Sequence, residues 1–318
     1  MPFRVTGMQK LLTGLQPSGA LHIGNYFGVL KPFVDMYQGY ESHLMVADYH
    51  ALTTLKEPAK LRENIMDVVR DYVAVGIDPK KAIIFQQSQV PEHTELTWIF
   101  NSLITMAFLE LAHAYKDKEA RGLETNVGLF DYPVLMACDI LLYDTEIVPV
   151  GQDQKQHIEY TREIAGKFNR QYGETFKEPK AQILESVAIV PGTDGKKMSK
   201  SYGNTIPLFG SKDEITKAVM GIVTDSKAES PENVYAIHAL FKRRDELSVL
   251  YKENKGKYKV LKEALVEDIE SVVAPMRERR ENISDKDVHE ILKEGSEKAR
   301  EKASAKMHDV RQKIGVAL

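Results

Sequence analysis

Two lysines three positions apart, Lys197 and Lys200, sit in the run Gly192-Thr193-Asp194-Gly195-Lys196-Lys197-Met198-Ser199-Lys200-Ser201-Tyr202-Gly203, which is too polar to be core. Gly192 and Gly195 leave the backbone pliable. Paired cations on a pliable loop suit a polyphosphate; the plainer alternative is a solvated basic turn. Near the other end, Leu11-Leu12-Thr13 runs into the turn formers Gly14-Leu15-Gln16-Pro17-Ser18-Gly19, and helical spacing begins near Ile23. A strand-loop-helix junction aims backbone N–H groups and the positive end of a helix at the loop, which also favours phosphate. The chain contains neither Gly-x-Gly-x-x-Gly nor Gly-x-x-x-x-Gly-Lys-Ser/Thr, so a dinucleotide fingerprint and a P-loop are both excluded.

Asp139 is the second chemical oddity. Val134, Leu135, Ile140, Leu141 and Leu142 surround it in a stretch greasy enough to be buried nearly all round. A buried carboxylate needs a donor, either a protein group or a ligand N–H. Tyr132, Met136, Asp139 and Tyr143 fall on one helical face, a combination that also describes a pocket for an aromatic ligand. Asp48 and His50 close a strand candidate, where they either touch a ligand or form a local turn. After Ile147-Val148-Pro149-Val150, the order Gly151-Gln152-Asp153-Gln154 puts carboxylate and amide groups between a strand end and a helix start, acceptors for sugar hydroxyls or an ammonium. Lys116 and Lys118 lie in a polar, aperiodic stretch from Ala114 to Gly128, read as a mobile surface segment that either reaches phosphate or is solvated.

The elements that must position these groups follow from periodicity. Ser42 to Ala47 and Ile83-Ile84-Phe85 read as strands. Leu61, Ile65, Val68, Tyr72 and Val75 mark a helix stopped by Gly76, and Leu96, Ile99, Phe100 and Leu103 mark another. Asp131-Tyr132-Pro133 reads as a helix start, with aspartate as N-cap and proline in the first turn. Alternating strands and helices predict an α/β fold, a parallel sheet covered on both faces. Beyond Asn204 strand signals vanish. Val260-Leu261, Leu265 and Ile269 form a helical stripe, Val288 to Leu318 another, and the second half reads as all-helical. Its Arg243, Arg244, Arg277, Arg279 and Arg280 either meet RNA backbone or form a solvated face.

Composition narrows the classes. At 318 residues, 43% hydrophobic and 28% charged, the chain predicts a globular protein of two domains. A net charge of -3 argues against coating nucleic acid by bulk electrostatics, and DNA is not expected as a partner. The single cysteine, Cys138, and singly scattered histidines predict no metal site and a reducing, cytoplasmic setting. No apolar run reaches the length of a membrane span, and the opening Met-Pro-Phe-Arg leads into no signal-peptide core, so neither a membrane nor export is expected.

Lys197-Met198-Ser199-Lys200-Ser201 resembles the second signature loop of the class I aminoacyl-tRNA synthetases, and Leu21-His22-Ile23-Gly24-Asn25 resembles their first. Gly14 to Gly19 is similar to the opening shared by the tyrosyl and tryptophanyl enzymes. Tyr132 to Tyr143, Val148 to Glu159, and the tail from Glu294 to Arg300 with Met307 to Arg311 resemble bacterial tryptophanyl-tRNA synthetases; the tyrosyl enzymes are the alternative. The resemblance implies a Rossmann-like parallel-sheet catalytic domain over 1-204 and a helical tRNA anticodon-binding domain over 205-318, whose last helix is able to pack back on the catalytic domain. It implies activation of L-tryptophan by ATP with Mg2+, transfer to tRNA(Trp), and a homodimer. Catalytic roles fall to Lys197, Lys200 and His22. The ATP site takes Gln16, Pro17, Ser18, Gly24, Asn25, Gly151, Gln152, Asp153, Ala188, Lys197, Met198, Ser199, Lys200 and Ser201. Asp139 would accept the indole N–H, Tyr132 and Gln154 would take the amino group, and Met136 would line the pocket. Asn25 replaces the last histidine of the first signature, which leaves fewer charges on the triphosphate.

Overall fold

The structure, a computed structural model, describes residues 7–111, 126–151, 155–183, 190–224 and 231–317. Lys116, Lys118, Gln152, Asp153, Gln154 and Ala188 lie outside the described residues. Five strands, β1 (Lys10–Leu15), β2 (Glu41–Val46), β3 (Ala82–Gln86), β4 (Ile147–Val150) and β5 (Lys180–Ile183), form one sheet in the order β3-β2-β1-β4-β5. Every neighbouring pair is parallel. Strand order reverses between β1 and β4, so the loops after these strands open a crevice at the carboxyl end of the sheet, where such folds bind ligands.

Side chains alternate across the sheet, and each face has its own core. Leu11, Leu44 and Ile84 join Val68, Val69 and Tyr72 of the helix Pro58–Ala74. Leu12, Met45 and Phe85 point the other way, into helices Glu92–Asn101, Val127–Leu141 and Lys155–Tyr172. Both faces are dry, which is why the strands read as apolar runs rather than alternating ones.

The helices beyond Ser211 share these cores. Ile215, Val219, Leu265, Ile269 and Val273 extend the first, while Ala299, Ala303, Met307 and Val310 of the last helix, Asp285–Lys313, extend the second. That helix lies along β3: a Cβ at Gly295 would sit 1.8 Å from the Ile84 carbonyl oxygen, and Ser296 Oγ accepts the Gln86 N–H at 3.3 Å. The exposed edge of the sheet is thereby covered.

Three sequence expectations need correction. The helix carrying Asp139 starts at Val127, not at Asp131: Asn126 is the N-cap, its Oδ1 accepting the Leu129 N–H at 2.9 Å, and Pro133 lies inside the helix. Proline there leaves the Leu129 carbonyl without its intrahelical donor, which the surrounding core tolerates. β5 was not anticipated, because Lys-Ala-Gln-Ile carries too few apolar residues to register. Val260 is 41% exposed, so the stripe on Tyr258–Glu281 runs through Leu261, Leu265 and Ile269 without it.

Candidate active site

The lysine loop is a small hairpin. Pro191 pairs with Lys197, the Met198 N–H reaches the Val190 carbonyl at 2.9 Å, and the Gly192 N–H reaches Lys196 O at 2.6 Å. Asn204, only 2% exposed, staples it: Nδ2 donates to Asp194 Oδ1 (2.7 Å) and Lys197 O (3.0 Å), and Oδ1 accepts from Ser199 N (2.8 Å). Gly192 is required beside it, since a Cβ would lie 2.2 Å from Asn204 Nδ2. The hairpin is tied to the first loop by Lys200, whose Nζ donates to Ser18 O (3.3 Å) and Gly19 O (3.0 Å). Desolvation there lowers the Lys200 pKa.

The first loop is held from two sides. Leu21 and Ile23 exchange backbone hydrogen bonds with Leu208 and Ile206, and Asn64 Nδ2 donates to Pro17 O at 3.0 Å. Tyr72 Oη accepts the Leu15 N–H and donates to Met45 O, tying the ends of β1 and β2. His22 is nearly buried and backs onto Gly24, where a Cβ would sit 2.8 Å from its Nδ1. Burial first, and then the Lys200 charge, hold its pKa down at about 4, so the ring is neutral. Asn25 Oδ1 accepts the His22 backbone N–H. Gln16, Ser18, Lys197, Lys200 and Ser201 are exposed at this end, Gly24, Asn25, Gly151 and Ser199 are half-buried, and Pro17 and Met198 are buried beneath.

Asp139 lies in a separate, dry cluster and is 1% exposed. Its Oδ1 accepts from Gln87 Nε2 (2.8 Å) and His93 Nδ1 (2.6 Å), and its Oδ2 from His50 Nε2 (2.7 Å). Burial alone would raise this carboxyl; hydrogen bonds from His50 and His93 overcome it and hold the pKa at about 2. His50 and Tyr132 line a cavity of about 390 Å³ with Thr53, Thr97 and Leu135. Tyr132 Oη is 2.5 Å from His157 Nε2, and Met136 is half-buried against the second core. Asp48 takes the turn role: its carboxylate accepts from Gln86 Nε2 and Ser88 N.

Asp139 therefore has protein donors, and the donors Gln87 and His93 were missed from sequence, as were Asn64 and Asn204. Among the arginines, Arg280 pairs with Asp67 and Asp71 and Arg279 Nε donates to Ala74 O, both tying the helix Tyr258–Glu281 to Pro58–Ala74, while Arg277 pairs with Glu270 within its own helix. Arg243 pairs with exposed Asp245. Among the described residues no group of three or more His, Cys, Asp or Glu is placed to hold a metal, and no helix is long and apolar enough to cross a membrane.

A Rossmann-like sheet with a lysine hairpin closing over the loop after its first strand defines a class, and the family model for tRNA synthetases class I (W and Y) matches residues 6–307. The chain belongs to that family. Within it, the chain is 48% identical to the tryptophan–tRNA ligase of Fusobacterium nucleatum, covering 97% of this chain and 98% of that one, and 46% identical to that of Rhodopirellula baltica, covering 96% and 99%. The tryptophanyl-tRNA synthetase of Campylobacter jejuni, solved in complex with ADP and tryptophan, superposes with a TM-score of 0.90 at 43% identity, over 96% of this chain and 100% of that one.

Proposed function

We propose that this chain activates L-tryptophan with ATP and transfers it to tRNA(Trp). A tryptophan carboxylate oxygen attacks the α-phosphorus of ATP, the bond to the β-phosphate breaks and pyrophosphate leaves. The terminal ribose hydroxyl of the tRNA then attacks the aminoacyl carbonyl, releasing AMP. The substrate carboxylate is itself the nucleophile, so catalysis rests on positioning and charge stabilisation.

The carrying observation is the meeting of two loops: Lys200 from the hairpin on the carbonyls of Ser18 and Gly19, beside a neutral His22. In this reading Gln16, Pro17, Ser18, Gly24, Asn25 and Gly151 cradle ATP with Gln152, Asp153 and Ala188, while Lys197 and Lys200 meet the developing charge on the phosphates. Met198, Ser199 and Ser201 shape the hairpin. Mg2+ would enter as the counter-ion of ATP. Tryptophan takes the cavity beside His50, with Tyr132 and Gln154 at its amino group and Met136 at its ring. An ionised carboxylate accepts about four hydrogen bonds, and Asp139 receives three; the indole N–H supplies the fourth.

Tryptophan is favoured over the tyrosyl alternative by the names and full-length coverage of the relatives. Residues 205–318 would meet the anticodon, with exposed Arg243 and Arg244 as backbone contacts. A homodimer, through the apolar surface around Trp98 and Val127, and a cytoplasmic setting complete the reading. Pyrophosphate exchange into ATP, run with each amino acid in turn, tests it. Exchange should depend on tryptophan; exchange driven by tyrosine, or by none, overturns it.

A further inference from the structure

We infer that Gln87 and His93 are positioning residues for amino-acid selectivity: they fill both acceptor sites of Asp139 Oδ1 and so reserve a single site on Oδ2 for a ring N–H entering beside His50. The inference rests on the proposed contact between Asp139 and the indole.

Gln87 and His93 are 0% exposed, and neither can turn freely. Gln87 donates to Asp139 from Nε2 while its Oε1 accepts the Tyr49 N–H at 3.1 Å, so flipping the amide would oppose acceptor to acceptor and donor to donor. A carboxylate only accepts, which puts a proton of His93 on Nδ1, and its Nε2 is hydrogen-bonded to Tyr143 Oη, 2.8 Å away, so both ring nitrogens are engaged. Tyr143 keeps its own proton, since burial raises its phenol well above the ordinary range. Donors therefore arrive from the turn after β3 (Gln87–Gln89), from helix Glu92–Asn101 and from the turn after β2. Three elements fix the carboxylate's rotation.

Only Oδ2 keeps an acceptor site, and its one partner among the described residues, His50, lines the 390 Å³ cavity. A ring bearing an N–H completes the coordination there. A ring of equal size without one leaves a buried anion short of a hydrogen bond, a difference that separates substrates by roughly 10⁴ where ring size alone gives about 10². Removing either Oδ1 donor opens a second acceptor site and frees the carboxylate to rotate away from the cavity, so the difference shrinks.

The test compares kcat/KM for tryptophan with that for 3-(benzothiophen-3-yl)alanine, in which sulfur replaces the N–H at nearly constant shape. The parent should prefer tryptophan by roughly 10⁴. Gln87→Leu and His93→Leu should each narrow that ratio at least tenfold with the KM for ATP unchanged, and His93→Asn, whose amide nitrogen occupies the Nδ1 position, should restore it. Should His93→Leu fail to fold, Gln87→Leu carries the same expectation. Asp139→Ala separates the two levels of the argument. If it leaves the ratio intact, the indole contact itself is wrong; if it collapses the ratio while Gln87→Leu and a folded His93→Leu do not, the contact stands and the positioning role is overturned.

Discussion

His22 and Asp139 are both buried ionisable groups, and their surroundings push them in opposite directions. Asp139 gains three donors and stays charged. His22 loses water and gains Lys200 as a neighbour, so it stays neutral, and its Nδ1 has no hydrogen-bond partner among the described residues. In the proposed reading this leaves the lysines as the cations for the phosphates, with the histidine as shape and hydrogen-bonding capacity. The pH consequence follows from the folded pKa of about 4 against an ordinary 6.5. Between these values the unfolded chain binds a proton that the folded chain refuses, so this group's contribution to stability is complete above pH 6.5 and is lost as pH falls toward 4. Ring NMR should show the His22 signals not titrating down to about pH 5. Lys200→Ala should raise the midpoint without restoring the ordinary value, since burial is the larger cause. A parent midpoint near 6.5 would refute the neutral assignment.

Among the elements, the last helix is the most demanding fit, because its backbone touches the edge strand at Gly295. A methyl group there has no space, with the Ile84 carbonyl 1.8 Å from the Cβ position. Gly295→Ala must therefore lift Asp285–Lys313 from β3 and loosen Ala299, Ala303 and Met307, which belong to the second core. Overpacking of this kind costs about 3 kcal/mol, to be read as a lower denaturant midpoint; an unchanged midpoint would show that the helix slides without loss. Nothing in Glu294-Gly295-Ser296 announces that contact from sequence alone, as it depends on a strand some two hundred residues earlier, the Gln86 to Ser296 separation being 210. The same limit applies to the site. The two loops were legible because their wording is local, and the strands β1 to β4 because buried apolar runs are local too. The donors to Asp139 are 46 to 89 residues away, so the sequence exposed the need for a donor but not its identity. Asp131 misled because Asp-x-Pro is a strong local cap pattern, whereas Asn126 closes a stretch whose polarity hid the helix start.

At the scale of the molecule, one surface is too apolar to be left in water. Trp98 is 77% exposed, Met106 65% and Val127 82%. Met106 and Val127 line one cavity of about 410 Å³, with Asn101, Ile104 and Phe130, and Trp98 lies one turn before Asn101 on the same helix. Apolar surface of this kind suits an interface, and in the proposed homodimer a second copy related by a twofold axis would bury it in closed form. The surface also adjoins the cavity beside His50: Asn126 and Asp131 line both hollows, and helix Val127–Leu141 turns Val127 outward while carrying Asp139 inward. Trp98 is the chain's single tryptophan, so its own fluorescence would report burial of this surface. Without substrate, emission should be that of a shielded indole at micromolar protein and shift to the red on dilution. Val127→Glu places charges in the apolar seam; it should give the red emission at every concentration, a monomeric mass by light scattering, and a raised KM for tryptophan through the helix it begins. A parent protein with the 36.0 kDa mass of one chain, fully active and with solvent-exposed emission throughout, would show that the patch serves some other contact.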